Sequence, residues 1–345
     1  ARPPFNHTFI VHRSQFDRWF AKQVESAGAT LLEGTVAESL IYDEKDGRKK
    51  VVGVRVRGDE AFYAHVVVLA DGANALVTEQ ARRDLGLAPG RVAQEYAVGV
   101  KEIIGLPRGR IEDRFNLAGN EGAALDFFGV PFEGIIGGGF LYTARESIHL
   151  GFAARIESLR RAGIGPSQVM DRFKEHPVVR RYIEGGELQE YSAHMIPEGG
   201  FNAIGQITGD GMMIAGDAAG FVNMSLYKEG TNHAMETGRA AGETAVEARQ
   251  SGDYSQVGLA GYERRVRGGV AYADLRRYRK VPEVLEACPN LLSLYPQKVN
   301  RMLIEFFTLT DTPKRVQQRQ AIHNFLRGLP KFRFIRDMIR ARHLA

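Results

Sequence analysis

Small residues and one carboxylate concentrate in a single stretch of the chain, residues 211–220, which reads Gly-Met-Met-Ile-Ala-Gly-Asp-Ala-Ala-Gly. Its apolar run predicts a buried strand, and Gly216 with Asp217 predicts a tight turn directly after that strand. A carboxylate in such a turn can accept a hydrogen bond from a hydroxyl group of a ligand. A Gly-Asp pair is also common in turns that bind nothing, so the next segment decides the interpretation.

Residues 229–243 read Glu-Gly-Thr-Asn-His-Ala-Met-Glu-Thr-Gly-Arg-Ala-Ala-Gly-Glu and predict a helix of small residues. The free N–H groups and partial positive charge at a helix start suit the pyrimidine edge of a flavin, where reduction places negative charge. The Asp217 carboxylate would then bind a ribityl hydroxyl. Strand, turn and helix together predict flavin binding by Gly216, Asp217, Ala218, Gly220, Gly230, Thr231 and Asn232.

The predicted helix carries a stripe of small residues at helical spacing: Ala234, Gly238, Ala241, Gly242 and Ala245. A glycine inside a helix costs roughly 1 kcal/mol relative to alanine. We therefore expect the stripe to let the helix backbone lie very close to a sheet or a ligand.

A second strand end carries a similar turn. Residues 66–70, Val-Val-Val-Leu-Ala, form an apolar run that suits a fully buried strand, and Asp71 and Gly72 follow it. Ligands of open α/β sheets bind at the carboxyl ends of strands. We expect Asp71 and Gly72 to contact the cofactor, with a plain hairpin turn as the alternative.

Arg13 stands between a predicted strand at residues 9–11 and a predicted helix at residues 14–27. Ser14 is a good N-cap, and Asp17 three residues on suggests a capping box. The position of Arg13 suits contact with a phosphate or with the flavin environment. A surface cation is the alternative.

Composition limits the other function classes. The chain has 345 residues, enough for about two domains, and its net charge of +5 comes from interspersed charges of both signs, so no nucleic-acid role is predicted. The one cysteine, Cys288, cannot by itself form a disulfide, a Cys-ligated zinc site or an iron–sulfur cluster. His7, His12, His194 and His233 show no metal-ligand spacing, so we expect them to be solvated or satisfied in the core rather than to bind a metal. A reducing, cytoplasmic compartment is the default.

The organisation predicted along the chain has four parts. Residues 1–93 form the first part of a cofactor domain, including a hairpin at Asp46-Gly47, and residues 201–250 form its last part. Between them, residues 94–200 form an inserted α+β domain with strands at 95–104, 123–131, 135–143 and 147–154 and a helix at 166–176. Residues 251–345 form a helical region that ends in a basic tail, residues 331–342, with interleaved apolar side chains.

Four segments carry a resemblance to a known family: residues 11–19, 68–74, 216–223 and 229–235. They resemble the glutathione-reductase-like FAD superfamily and, within it, the electron transfer flavoprotein–quinone oxidoreductases. The FixC-type branch, associated with nitrogen fixation, is the most similar. The resemblance implies an α/β FAD-binding domain with an inserted antiparallel α+β substrate domain and a helical C-terminal region.

The resemblance also implies the activity. A flavoenzyme of this type takes electrons from an electron transfer flavoprotein and passes them to a membrane quinone. FAD carries the chemistry, so no catalytic residue is nominated. Gly230, Thr231 and Asn232 would face the isoalloxazine. The quinone would enter an apolar cleft for which Phe127, Phe128 and Phe140 are candidates.

Two departures from the family pattern shape the expectations. The sequence has no Gly-x-Gly-x-x-Gly turn for the FAD pyrophosphate, so we expect a preceding N-terminal segment that this chain lacks. The single cysteine suits the FixC-type arrangement, in which the cluster resides on a small ferredoxin-like iron–sulfur partner. The basic tail suggests peripheral contact with the inner face of the cytoplasmic membrane.

Two alternatives stay open from the sequence. A geranylgeranyl-type prenyl reductase or a flavin monooxygenase shares the fold and the motifs. A non-catalytic subunit would explain the missing phosphate-binding turn.

Overall fold

The computed structural model describes residues 8–90, 96–129, 131–132, 134–223, 225 and 227–344. Its contacts divide into two compact units, one formed by Ala1–Thr35 with Val98–His194 and the other by Val36–Ala97 with Met195–Ala345. The expected boundary between residues 93 and 94 lies outside the described residues. The contacts group residues up to 35 with the first unit, although the sequence suggested the cofactor domain for them. The domain limits therefore stay a prediction.

The described strands and helices are as follows. The strands are β1 (Ala37–Lys45), β2 (Arg48–Val56), β3 (Ala61–Tyr63), β4 (Val67–Leu69), β5 (Tyr96–Gly105), β6 (Ala124–Phe127), β7 (Gly137–Thr143), β8 (Ser147–Arg155), β9 (Glu187–Pro197), β10 (Thr208–Gly209) and β11 (Met212–Ile214). The helices are α1 (Arg13–Ser26), α2 (Leu76–Asp84), α3 (Arg108–Phe115), α4 (Ile156–Ala162), α5 (Pro166–Glu175), α6 (Pro177–Ile183), α7 (Gly200–Ala203), α8 (Thr231–Ser251), α9 (Ala260–Gly268), α10 (Val270–Arg277), α11 (Val281–Ala287), α12 (Leu294–Phe307), α13 (Lys314–Leu326) and α14 (Lys331–Ala341). Short 3-10 turns lie at Gly72–Asn74, Gly216–Ala219 and Pro289–Leu291.

The first unit is built on a five-stranded sheet with the order β6-β7-β8-β5-β9. β7 pairs antiparallel with both β6 and β8. Because side chains alternate across a strand, Ile148, Leu150 and Phe152 of β8 share one face and pack into the core with Phe173 of α5. The four predicted strands of this region are present, although β6 ends at Phe127 rather than at residue 131.

The second unit contains two small sheets. β1 and β2 form an antiparallel hairpin, to which β3 adds on the free side of β2. The predicted hairpin turn is confirmed: Asp46 and Gly47 both have positive φ, 51° and 73°, as a type I′ turn requires. The other sheet has the order β10-β11-β4, and its β11 pairs parallel with β4.

The start of the chain differs from the prediction. Residues 8–12 contain no strand, and α1 begins at Arg13 with no side-chain cap. Asp17 forms an ion pair with Arg13 instead of completing a capping box with Ser14. No residue of α1 is buried within the described structure, and its aromatic side chains contact one another, with the Phe16 and Phe20 rings 5.9 Å apart.

The helical region ends in a helix that is anchored by one buried carboxylate. Asp337 of α14 is fully buried and accepts a hydrogen bond of 2.8 Å from the hydroxyl of Tyr295. The Phe334 ring packs edge-on against the same Tyr295. Phe332 and Ile335 are exposed, at 92% and 57%. The helix therefore binds the unit through one side and presents apolar groups on another.

Close backbone packing at the turn between β10 and β11 gives a testable prediction. Gly211 has φ of +75°, and a Cβ there would collide with the backbone oxygen of Val51. Gly58 also has a positive φ, +95°, but the space around its Cβ position is open. We expect Gly58→Ala to lower the free energy of unfolding by about 1–2 kcal/mol through backbone strain alone.

We expect Gly211→Ala to cost a further 1–3 kcal/mol, roughly, because the β2 backbone must also shift. Urea unfolding of both variants measures the difference. Equal losses in the two variants would show that the close approach contributes nothing.

Candidate functional site

The parallel pairing of β4 with β11 brings two turns to one edge of a sheet. Val67 lies opposite Met212 and Leu69 opposite Ile214, and Ala215 donates a hydrogen bond of 2.9 Å to the carbonyl of Leu69. Each strand is followed by a 3-10 turn, and the two turns contact each other. The structure therefore brings together the two glycine-containing turns that the sequence indicated separately as candidate contacts of the cofactor.

The turn at Gly216–Ala219 is hydrogen-bonded to the N-terminal part of α8. Gly216 has a φ of 62°, and its N–H donates a hydrogen bond of 3.0 Å to the hydroxyl of Thr237. A Cβ on Gly216 would lie 3.4 Å from the Cβ of Ala234, so the turn and the helix are in close contact. Gly220, with φ of 83°, closes the turn by donating to the carbonyl of Asp217 at 2.9 Å. Both glycines are at positions that disfavour a side chain.

The Asp217 carboxylate lies next to the residue that precedes α8. Its Oδ1 atom is 4.0 Å from the position that a Cβ on Gly230 would occupy. Thr231 and Asn232 are the first two residues of α8 and are exposed. The backbone at this helix start is thus adjacent to a carboxylate, and both are at the edge where β4 and β11 end.

The Asn232 side chain is used to order the loop before the helix. Its amide donates a hydrogen bond of 2.9 Å to Glu229 Oε1, and the amide of Asn223 donates to Glu229 Oε2 at 3.2 Å. The backbones of Asn223 and Glu229 also exchange two hydrogen bonds, of 2.7 and 3.1 Å. Glu229 therefore holds both ends of this loop in place.

Asp71 has a structural role at the start of α2 that its sequence pattern does not indicate. Its Oδ2 atom accepts hydrogen bonds from the backbone N–H groups of Val77 and Thr78, at 2.9 and 3.1 Å. Its Oδ1 atom accepts a short hydrogen bond from the Thr78 hydroxyl. The carboxylate thus caps the start of α2 from six residues away. Contact of Asp71 and Gly72 with a cofactor stays a prediction.

Arg13 belongs to the first unit and forms a bidentate ion pair with Asp17, at 2.9 and 3.1 Å. Both side chains are about half exposed, at 55% and 53%. Exposed pairs of this kind contribute little to stability. The role of Arg13 beside a phosphate or flavin stays a prediction.

The close approach expected along the small-residue stripe of α8 does not bring a sheet against its two glycines, and approach to a ligand there stays a prediction. A Cβ on Gly238 or Gly242 would meet nothing within 4 Å. The buried face of α8 is instead formed by His233, Thr237, Ala240, Ala241, Thr244 and Ala248. Only Ala241 belongs to both sets, because the helix packs through a face rotated away from the stripe.

A second group of polar residues was missed altogether. His149 of β8 lies on the sheet face opposite the core, is only 3% exposed, and has no partner for its Nε2 atom. Burial, with His12 and Lys101 nearby, lowers the pKa of His149 to about 4, so the ring is neutral near pH 7. The sequence signal was a single histidine within the otherwise apolar run 148–154.

The other members of this group connect His149 to the surface. The His12 ring packs edge-on against His149, with centroids 5.2 Å apart. His12 Nε2 lies 3.6 Å from a carboxylate oxygen of Glu190, whose side chain is 40% exposed. Lys101 Nζ lies 4.0 Å from the other oxygen of Glu190. Exposure therefore falls stepwise from Glu190 through His12 to His149.

Solved structures with similar architecture identify the class of fold. The flavin-dependent brominase Bmp2, as a triple mutant, aligns with 96% of this chain and 76% of its own, with a TM-score of 0.59 and 18% identity. The flavin-dependent halogenase CmlS aligns with 96% of this chain and 62% of its own, with a TM-score of 0.56 and 17% identity. The chain therefore has a mixed α/β fold found in flavin-dependent enzymes.

Sequence relatives are closer. The probable electron transfer flavoprotein-quinone oxidoreductase YdiS of Escherichia coli K12 is 40% identical over 313 residues, covering 90% of this chain and 71% of the relative. Protein FixC of the same strain is 39% identical over 322 residues, covering 93% and 73%. FixC of Bradyrhizobium diazoefficiens is 37% identical over 322 residues, covering 92% and 72%.

Two family profiles match separate parts of the chain. The profile described as ETF-QO, ubiquinone-binding, matches residues 96–196, and that of the ETF-QO/FixC family C-terminal domain matches residues 281–343. The chain belongs to the ETF-QO/FixC family, as its motifs predicted.

The two possible roles of Asp71 can be separated by substitution. Asp71→Ala removes the acceptor of three hydrogen bonds at the start of α2, so we expect the free energy of unfolding to fall by about 1–3 kcal/mol. Asp43→Ala, at an exposed carboxylate on β1, is the matched control and should change stability little. Urea unfolding measures both variants. Unchanged stability of Asp71→Ala, with reduced flavin content, would assign Asp71 to the cofactor instead.

Proposed function

We propose that this protein is a FAD-dependent oxidoreductase that passes electrons from an electron transfer flavoprotein to a quinone. The observation that carries the proposal is the ubiquinone-binding profile over residues 96–196, within a chain 40% identical to a probable electron transfer flavoprotein-quinone oxidoreductase. These matches favour it over a prenyl reductase, a monooxygenase or a non-catalytic subunit. When bound, FAD supplies the electron-transfer chemistry.

The described residues offer a fitting place for the flavin. Gly216, Ala218 and Gly220 would form its turn, and Asp217 would bind a ribityl hydroxyl. Gly230 leaves the space beside Asp217 free of a side chain. The N–H groups and partial positive charge at the start of α8, at Thr231 and Asn232, would stabilise negative charge on the ring. This arrangement supports a glutathione-reductase-like FAD domain with an inserted α+β domain and a helical C-terminal region.

Within the first unit, the sheet face opposite the core suits a quinone better than the core does. Phe127 contacts Phe173 edge-on, with centroids 5.2 Å apart, and packs against the core of the unit. Phe140 instead stacks on Tyr142 at 5.0 Å, and Tyr142 lies opposite His149 in the register of β7 and β8. Of the phenylalanines named as candidates, Phe140 therefore shares a face with the polar group of His149.

Quinone reduction consumes protons, and the His149 group can supply one. A quinone that accepts two electrons also takes up two protons, one on each oxygen, and so becomes a quinol. His149 Nε2, as the neutral N–H tautomer, would pass its proton to one quinone oxygen while Nδ1 takes up a proton, so that the ring stays neutral and no imidazolate forms. The proton taken up at Nδ1 would come from solvent. The absence of another partner for Nε2 supports this role.

The proposed activity also implies partners and a location for this protein. An electron transfer flavoprotein would be the donor, and a small ferredoxin-like iron–sulfur protein would be a further partner, as the FixC-type arrangement implies. None of the described helices is long and apolar enough to cross a membrane. The exposed apolar and basic side chains of α14 would rest on the inner face of the cytoplasmic membrane.

The role of Asp217 predicts a loss of cofactor. In the full-length protein, we expect Asp217→Ala to lower bound FAD at least tenfold, because it removes a charge-assisted hydrogen bond in a partly buried site. The visible absorption spectrum and the FAD released on heating measure the change. Asp43→Ala is the control for removal of a carboxylate. Full flavin content in a folded Asp217→Ala variant would contradict the assignment.

The role of His149 predicts a defect in only one half of the reaction. We expect His149→Gln to lower kcat for quinone reduction about 10²-fold, since general acid catalysis contributes about that much. Reduction of the bound flavin by the electron transfer flavoprotein should keep its wild-type rate. Stopped-flow and steady-state assays of the full-length protein measure the two halves.

His176→Gln, at a half-buried helix cap in the same unit, is the matched histidine control. An unchanged kcat in His149→Gln would exclude proton donation by this residue. A wild-type protein that reduces no quinone would instead contradict the proposed function itself.

A further inference from the structure

One buried histidine in the second unit lacks hydrogen-bond partners. His233, in the first turn of α8, is 1% exposed, and neither ring nitrogen has a partner in the described structure. Leaving a buried polar group unpaired costs about 1–3 kcal/mol. Native proteins rarely keep such groups unless something that binds there supplies the missing partner.

Two carboxylates face this ring. His233 Nε2 lies 3.8 Å from Glu229 Oε2. Asp274 of α10 contributes the third group, and one ligand atom from each of the three residues lies within 4.8 Å of the other two. Glu229 and Asp274 are half-buried, so their charges are partly shielded from water. The three residues come from two helices and the loop that precedes α8.

Neighbouring groups hold the cluster in position. The two carboxylate oxygens of Glu229 each accept an amide hydrogen bond, from Asn223 and Asn232, which fixes the orientation of the carboxylate. His233 cannot move far, because its helix is fastened to the Gly216 turn through Thr237. Partners of this kind orient the ligands of a metal ion in many sites.

The charge and donor types favour a divalent cation. The two carboxylates bring two negative charges to the cluster, which outweigh the partial positive charge of about +0.5 at the start of α8. A mixed set of one nitrogen and two oxygen donors suits Zn²⁺ or Mn²⁺. Metal–ligand bonds of about 2.0–2.2 Å would need only a small inward movement of these side chains.

We propose that Glu229, His233 and Asp274 form a binding site for one divalent transition-metal ion of the Zn²⁺ or Mn²⁺ type. Three protein ligands leave further positions of the ion open to water. The site does not depend on the proposed activity, since its donors are all side chains of this chain. A protonated His233 between the two carboxylates is the competing arrangement, in which a proton takes the place of the metal.

The experiment uses the full-length protein with its bound flavin, treated with chelator and then dialysed. Isothermal titration with Zn²⁺ and electron paramagnetic resonance with Mn²⁺ should each detect one site per chain. Glu229→Gln, Asp274→Asn and His233→Gln should each weaken that site at least about tenfold. His323→Gln on α13 and Glu283→Gln on α11, both exposed, are the matched controls and should bind as the wild type does.

Folding of each variant is checked by far-ultraviolet circular dichroism. Because Glu229→Gln and Asp274→Asn alter half-buried groups without changing their size, they keep the test valid if His233→Gln fails to fold. A wild-type protein that binds neither ion stoichiometrically would overturn the proposal and favour the protonated histidine. Wild-type affinity in both carboxylate variants would place the ion elsewhere and overturn it as well.

Discussion

The parallel pairing of β4 with β11 is the constraint on which the proposed flavin site depends. Each strand has only three residues, yet their register places the turns at Gly72–Asn74 and Gly216–Ala219 side by side. The hydrogen bond from Gly216 to Thr237 then fixes the start of α8 against the second turn. Backbone N–H groups and the Asp217 carboxylate can act on one ligand only because these pairings hold them at one edge.

Several polar side chains near this edge form hydrogen bonds that stabilise its turns and loops. Asp71 caps α2, and Glu229 joins the two ends of the loop before α8. A carboxylate that already accepts hydrogen bonds from the protein has fewer lone pairs to offer a ligand. Asp71 is therefore better explained as a support for the turn that follows β4, and its contact with a cofactor stays a prediction.

Two buried histidines with ring nitrogens that lack hydrogen-bond partners in the described structure support the proposals of quinone protonation and of metal binding. His149 in the first unit and His233 in the second each have a ring nitrogen that no described group satisfies. Their surroundings differ. His149 has the cation Lys101 nearby and a neutral ring, which suits a proton relay to an uncharged substrate. His233 faces two carboxylates, which suits a cation. The same residue type thus supports different proposals because the neighbouring charges have opposite signs.

The sequence by itself determined the features that rest on local preferences and on family motifs. The turn at Asp46-Gly47, the glycines at 216 and 220, and membership in the family could all be predicted, because positive φ and motif spacing act within a few residues. Only the tertiary structure decided what Asp71 binds, which face of α8 is buried, and which histidines lack partners. Those outcomes depend on groups distant in sequence, such as Thr237 beside Gly216 and Asp274 beside His233, which no local pattern specifies.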